Sequence, residues 1–146
     1  MRANTEDIVG YTAGVFDMLH VGHLRLLQQA RAQCDRLIVG VTTDELCQRR
    51  KHKTPLIPYS DRATMLRGLR CVDEVVPQHH MDRIAAWDRL RFDVTFVGDD
   101  WRGTASWVAY ESQFAEIGVR VVYFPYTAGV SSTQLREKLR GLPVAA

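Results

Sequence analysis

Long apolar runs are what this chain most lacks. No stretch approaches the roughly 20 residues of a membrane-spanning helix, and the first residues do not show the basic-then-apolar pattern of a secretory leader. The expectation is a cytoplasmic protein without a membrane partner. Cysteine is scarce: Cys34, Cys47 and Cys71 are odd in number and form no C-x-x-C pair, which fits free thiols in a reducing compartment rather than a disulfide framework. Surplus charge of one sign is missing too. With 19 Lys+Arg against 17 Asp+Glu the formal net charge is +2, too small to indicate a nucleic-acid partner. There is no internal repeat and no low-complexity segment, and no G-x-G-x-x-G follows the first apolar run, which disfavours a dinucleotide-binding dehydrogenase. What is present is 146 residues of which 46% are hydrophobic, enough for one domain, 1–146, with a real core.

Short apolar runs alternate with helical periodicity along the chain. Ile8–Ala13 reads as a first strand and Val21–Gln33 as a first helix, with Leu24, Leu27 and Ala30 at helical spacing. Leu37–Val41 is nearly all apolar, as in a strand buried on both faces. A short helical turn is expected at Thr42–Glu45, then a helix from Tyr59 to about Arg70, capped by Ser60 or Asp61, with Met65, Leu66 and Leu69 as its stripe. Val72–Pro77, Asp93–Val97 and Val119–Phe124 complete five strands, and Met81–Leu90 and Trp107–Ile117 supply further helices, the second stopped by Gly118. A last helix runs to Arg140. The pattern predicts an α/β fold: a five-stranded parallel sheet in a Rossmann-like three-layer sandwich.

The most informative stretch is Gly14-Val15-Phe16-Asp17-Met18-Leu19-His20-Val21-Gly22-His23-Leu24. It reads as the end of a strand, a turn, and the first turn of a helix. His20 and His23, three apart, fall on one face of that turn, and Gly22 lets a ligand approach the backbone. A helix N-terminus offers unpaired N–H groups and a partial positive charge, which suits an anion. Zinc binding would need three or four ligands, and no cysteine pair or third histidine lies nearby. A structural histidine pair that caps the helix is the remaining bland reading. The combination favours a phosphate site.

Other stretches have both bland and functional readings. Arg49-Arg50-Lys51-His52-Lys53-Thr54-Pro55 is the densest basic run, either a solvated loop or a mobile loop whose lysines close over a polyphosphate. Arg62 reads as a surface helix residue, and His79 and His80 as loop residues. Gly98-Asp99-Asp100-Trp101 follows the fourth strand, at a carboxyl end like the His stretch, where open parallel sheets bind ligands. Ser131, Ser132 and Thr133 open the last helix, as ordinary caps or as hydroxyl donors to phosphate.

Taken in order, these motifs resemble the nucleotidyltransferase superfamily that carries His-x-Gly-His, and within it the cytidylyltransferase branch of glycerol-3-phosphate and phosphocholine cytidylyltransferases. The resemblance covers nearly the whole chain. It implies transfer of CMP from CTP to a phosphorylated alcohol, giving a CDP-alcohol and pyrophosphate. His20, His23 and Lys53 would be catalytic. Gly14, Val15, Phe16, Gly22, Lys51, Arg62, Gly98, Asp99, Trp101, Tyr126, Thr127, Gly129, Ser131 and Ser132 would hold the nucleotide. Mg²⁺ would be bound through the nucleotide phosphates, with no protein metal site. Arg70–Val75 resembles the segment that pairs subunits in family dimers, so a homodimer is expected. The chain departs from the family at Tyr126, where the family has an arginine on the triphosphate; a phenol donates one hydrogen bond but no charge. Ala128 replaces the usual Glu, and Val15 stands where the bacterial glycerol-phosphate enzymes have Thr. An adenylyltransferase on the same scaffold and a catalytically silent nucleotide-binding protein are the competing readings.

Overall fold

The computed structural model describes residues 7–125 and 132–141. Its centre is a sheet of five parallel strands, β1 (Val9–Gly14), β2 (Arg36–Thr42), β3 (Glu74–Gln78), β4 (Val94–Gly98) and β5 (Arg120–Phe124), in the order β3-β2-β1-β4-β5. The helices are α1 (Val21–Arg31), α2 (Asp44–Lys51), α3 (Tyr59–Arg67), α4 (Arg83–Leu90), α5 (Ala105–Glu116) and α6 (Ser132–Arg140). Leu27 and Ala30 of α1 and Leu66 of α3 pack on one face of the sheet with Leu37, Val39, Val41, Val94 and Phe96. On the other face Ala86 of α4 and Trp107 and Phe114 of α5 cover Tyr11, Ile38 and Val97. The three layers are those expected from the alternation of apolar runs.

The start of the sheet is fastened by aspartates. Asp35, Asp73 and Asp93 each precede a strand, and each carboxylate accepts an N–H at or just before the start of a neighbouring strand: Ile8 at 2.7 Å, Leu37 at 2.7 Å and Val9 at 2.8 Å. Charge-assisted bonds of this kind fix register where strands begin. Asp73 also meets Arg31 Nε at 3.0 Å, and Glu74 pairs with Arg36, so the acidic residues of the 70–75 segment have partners within this chain.

The other end of the sheet opens. The β1–β4 ladder stops at Thr12↔Phe96, although both strands continue for two residues, while β1 stays paired with β2 to Gly14↔Val41. The order of connections reverses between β1 and β4, and such a switch point leaves a crevice at the carboxyl ends. The Thr12 hydroxyl donates to Phe96 O and the Thr95 hydroxyl to Tyr11 O, so these buried polar groups brace the two strands just below the opening.

Several details differ from the sequence expectation. The basic run does not form one loop. Arg49, Arg50 and Lys51 are the last turn of α2, which Thr43 caps through Leu46 N–H at 3.2 Å, with Leu46 and Cys47 buried beneath it. Three cations at a helix C-terminus are favoured by its dipole, and His52, at φ 53°, ends the helix. The loop proper starts there. Helix α3 ends at Arg67 rather than near Arg70. Neither Ser60 nor Asp61 caps it; its Tyr59 N–H donates to the Asp44 carboxylate at 3.1 Å. Met65 points outward, 58% exposed, and Arg62 takes the inward position beside Ala63 and Leu66.

Candidate active site

Strand β1 ends against a strained turn. Phe16 and Met18 both have φ 53°, a left-handed conformation that costs a non-glycine residue about 1–3 kcal/mol and persists where the surroundings enforce it. Asp17 between them is thereby directed inward and is only 2% exposed. Its carboxylate accepts the N–H groups of Leu56 and Ile57, each at 2.9 Å. Gly14 is tight against this turn, since a Cβ there would meet the Phe16 ring at 3.2 Å.

The two histidines build the start of α1. His20 is the N-cap, and its Nδ1 accepts from Gly22 N–H at 3.0 Å; His23 Nδ1 accepts from His20 N–H at 3.2 Å. This is a reciprocal cap made with imidazoles instead of the usual hydroxyl and carboxylate. The rings stack with centroids 3.9 Å apart, and His23 leans on Phe16 at 5.4 Å. With both Nδ1 atoms accepting, each neutral ring carries its proton on Nε2. Both histidines therefore present Nε2–H donors. His20 Nε2 is buried and has no partner among the described residues. An unmet buried donor costs about 1–3 kcal/mol, so this atom is poised to take an acceptor that the described residues do not supply. The N–H of Gly22 is spent on His20.

Burial lowers the pKa of both rings. For His23 burial is the leading cause, the neighbouring His20 adds to it, Asp17 opposes it, and the value falls to about 4. Between pH 6.5 and about 4 the unfolded chain binds a proton that folded His23 refuses, so stability falls as pH falls through that window. Protonation at Nδ1 also removes the acceptor on which the cap depends. Thermal unfolding of the ligand-free protein from pH 7 to 4.5 is expected to show a steeper loss for the wild type than for His23→Gln. Equal slopes would refute the assignment.

The remaining expected residues divide into several groups. Lys51, at the end of α2, and Lys53, in the loop, are exposed and have no ion pair among the described residues. Gly98 closes β4 and Asp99–Trp101 forms a single 3₁₀ turn, with Asp99 3.4 Å from Arg102 Nε. Val15 offers its carbonyl to Arg62. Arg62 itself is 2% exposed, and its guanidinium donates to Ile57 O, Val15 O, Thr42 O and Asp44 Oδ1 at 2.6–2.8 Å. It is bound to protein acceptors and is not displayed to a ligand. Tyr126, Thr127, Gly129 and Ser131 lie outside the described residues; Ser132 opens α6.

Sequence reasoning passed over Asp17, Asp44 and Arg83. Arg83 is the first residue of α4 and lines a cleft of about 40 Å³ with Tyr11, Ala13, Gly98, Trp101 and Trp107, where β1 and β4 separate. Its guanidinium lies 5.7 Å from the Trp107 ring and has no hydrogen bond or carboxylate partner among the described residues. Burial pulls its pKa down from the ordinary value, and the charge of Arg50 adds to that. A cation at a helix N-terminus opposes the dipole, and that was the signal available in the sequence. Among the described residues no group of three or more His, Cys, Asp or Glu could hold a metal ion.

The geometry thus gathers a pair of imidazole donors, a lysine-bearing loop and a guanidinium unpaired among the described residues at the open end of the sheet. Residues 11–138 match the family model described as cytidylyltransferase-like. The chain belongs to the cytidylyltransferase-like family. It is 35% identical over 138 residues to glycerol-3-phosphate cytidylyltransferase of Bacillus subtilis, covering 90% of this chain and 96% of that one. The Staphylococcus aureus enzyme of the same name is 37% identical over 134 residues, covering 89% of this chain and 93% of that one. Bifunctional protein HldE of Caulobacter sp. is 41% identical over 128 residues, 87% of this chain but 26% of that protein. In fold, it resembles the lipopolysaccharide core biosynthesis protein of Thermoplasma volcanium, with TM-score 0.70 and 24% identity over 84% of this chain and 98% of that one. As a cytidylyltransferase-like protein the chain is a nucleotidyltransferase. No helix among the described residues is long and apolar enough to cross a membrane.

Proposed function

We propose that this cytidylyltransferase-like enzyme transfers CMP from CTP to a small phosphorylated alcohol of the glycerol-3-phosphate type, releasing pyrophosphate. The observation that carries the reading is the buried Nε2–H of His20, without a partner among the described residues, beside the stacked His23 at the start of α1. The acceptor's phosphate oxygen attacks the α-phosphorus in line while the bond to the pyrophosphate breaks. That nucleophile is already anionic, so no general base is needed. What catalysis requires is stabilisation of charge on the α-phosphoryl oxygens and the leaving group. His20 and His23 donate to those oxygens. Lys51 and Lys53 cover the phosphates from the loop side. Ser131, Ser132 and the start of the last helix take the β- and γ-phosphates, and Tyr126, Thr127 and Gly129 contact the nucleotide, in keeping with the resemblance. Arg83 holds the acceptor phosphate at the cleft between β1 and β4. By the resemblance, a magnesium ion would be held by the nucleotide rather than by residues of this chain and would supply further charge neutralisation. Asp99 faces Arg102, and the described residues form no acidic cage for such an ion.

The test is pyrophosphate release with Mg²⁺, crossing CTP and ATP against glycerol-3-phosphate, other polyol and sugar phosphates, amino-alcohol phosphates and phosphonates. Turnover with CTP and one phospho-alcohol is the expected result. Turnover with ATP alone would assign the chain to adenylyl transfer. CTP binding without turnover would favour a silent nucleotide-binding protein.

A further inference from the structure

We propose that Asp17 and Arg62 form a latch that sets where the 52–57 loop, and with it Lys53, stands over the nucleotide phosphates. This rests on the cytidylyltransferase reading above. Both side chains are 2% exposed, and together they grip one peptide from two sides. The N–H of Ile57 donates to Asp17 Oδ1 at 2.9 Å, and its carbonyl accepts from Arg62 Nε at 2.8 Å. The N–H of Leu56 goes to Asp17 Oδ2. Arg62 Nη1 also donates to Val15 O, two residues before Asp17, and Nη2 pairs with Asp44 Oδ1 at 2.6 Å. The other oxygen of Asp44 takes Tyr59 N–H. One web therefore joins the histidine turn, the start of α2, the loop and the start of α3.

Apolar packing does not do this work. Leu56 is 59% exposed and Lys53 is exposed, so the side chains just upstream of the latch bury little. The other side-chain fastening within the loop is Thr54 Oγ1 to Gln48 Oε1 at 3.1 Å, which is itself exposed. Lys53 is three residues from Leu56, so its Cα stays within about 11 Å of the latched peptide. Holding the loop by buried charge is costly as a way to stabilise a fold, since a well-packed apolar group often serves as well or better. The arrangement does give fixed geometry between the imidazole donors and the loop, because Asp17 belongs to the same strained turn as His20. Arg62 is accordingly a positioning residue, acting through the loop, in place of the nucleotide contact that the resemblance implies.

The test combines Asp17→Asn and Arg62→Lys with Lys51→Ala/Lys53→Ala in double-mutant cycles, reading kcat and KM for CTP, together with amide hydrogen exchange at Leu56 and Ile57. Each latch variant is expected to lower kcat about tenfold or more in the otherwise wild-type enzyme. In the Lys51→Ala/Lys53→Ala background the same substitution should change kcat less than about twofold, the non-additivity of groups that act as a unit. Exchange at Leu56 and Ile57 should accelerate in each variant. A full multiplicative loss in the Lys51→Ala/Lys53→Ala background, or unchanged exchange at the two amides, would overturn the latch. If Arg62→Lys does not fold, Asp17→Asn, which is nearly isosteric, carries the test. If the wild type transfers no nucleotide, the functional reading fails by itself, and the exchange measurement still judges the latch.

Discussion

Replacing His20 by alanine is expected to lower turnover by about 10²–10³-fold, the usual cost of losing one preorganised donor to developing negative charge. His23→Ala should cost a similar factor. Alanine alone is an ambiguous probe, because His20 is also the N-cap of α1 and loss of a cap costs about 1 kcal/mol. His20→Asn separates the two roles. An asparagine oxygen can take the Gly22 N–H that Nδ1 now accepts, but it cannot reach where Nε2 stands. The expected result is a thermal midpoint within a few degrees of wild type and a turnover loss as large as in the alanine variant. Near-normal turnover in His20→Asn would remove His20 from the chemistry and leave it a cap. Both rings are neutral at pH 7, since burial lowers their pKa values, so in the proposed reaction they would act on a triphosphate as oriented dipoles without the desolvation cost of two buried cations. The cost of preparing the site lies in the backbone at Phe16 and Met18 and in the unmet Nε2–H of His20.

This part of the site was legible in the sequence because it is local. A strand, a turn and a helix start lie within eleven contiguous residues, and the spacing of His20 and His23 fixes their shared face. The three-layer sheet was legible for the same reason, as short apolar runs alternating with helical periodicity. Helix α2 was not. Asp44-Glu45-Leu46-Cys47-Gln48-Arg49-Arg50-Lys51 has only two adjacent apolar residues and so no stripe; it forms because Thr43 caps it and its cations sit at the favourable end. Arg62 was misread because its partners lie at 15, 42, 44 and 57, positions that only the folded chain brings together. Its inward turn also explains why Met65 is left outside. The six residues 126–131 stand on the resemblance and lie outside the described residues.

Arg83 yields the second large effect. Arg83→Gln is expected to raise KM for the acceptor about 10- to 100-fold, since a hydrogen bond to a charged group is worth about 1.5–3 kcal/mol. KM for CTP should stay within about twofold. The fold should be indifferent to the change. The backbone N–H of Arg83 is held by Tyr110 Oη at 3.4 Å, and that oxygen in turn donates to Met81 O at 3.2 Å, whereas the guanidinium forms no hydrogen bond among the described residues. Its removal breaks no such bond and relieves a positive charge from the start of α4. Arg83→Lys should fall between wild type and Gln, because it keeps the charge but loses the planar fork that meets two phosphate oxygens at once. The measurement is initial rate against acceptor concentration at saturating CTP, then against CTP at saturating acceptor. A rise confined to KM for CTP would move Arg83 to the nucleotide side of the crevice. No change in either would mean that the acceptor phosphate lies elsewhere along the opening between Gly14 and Gly98, and the partnerless guanidinium would then serve only to stack on Trp107.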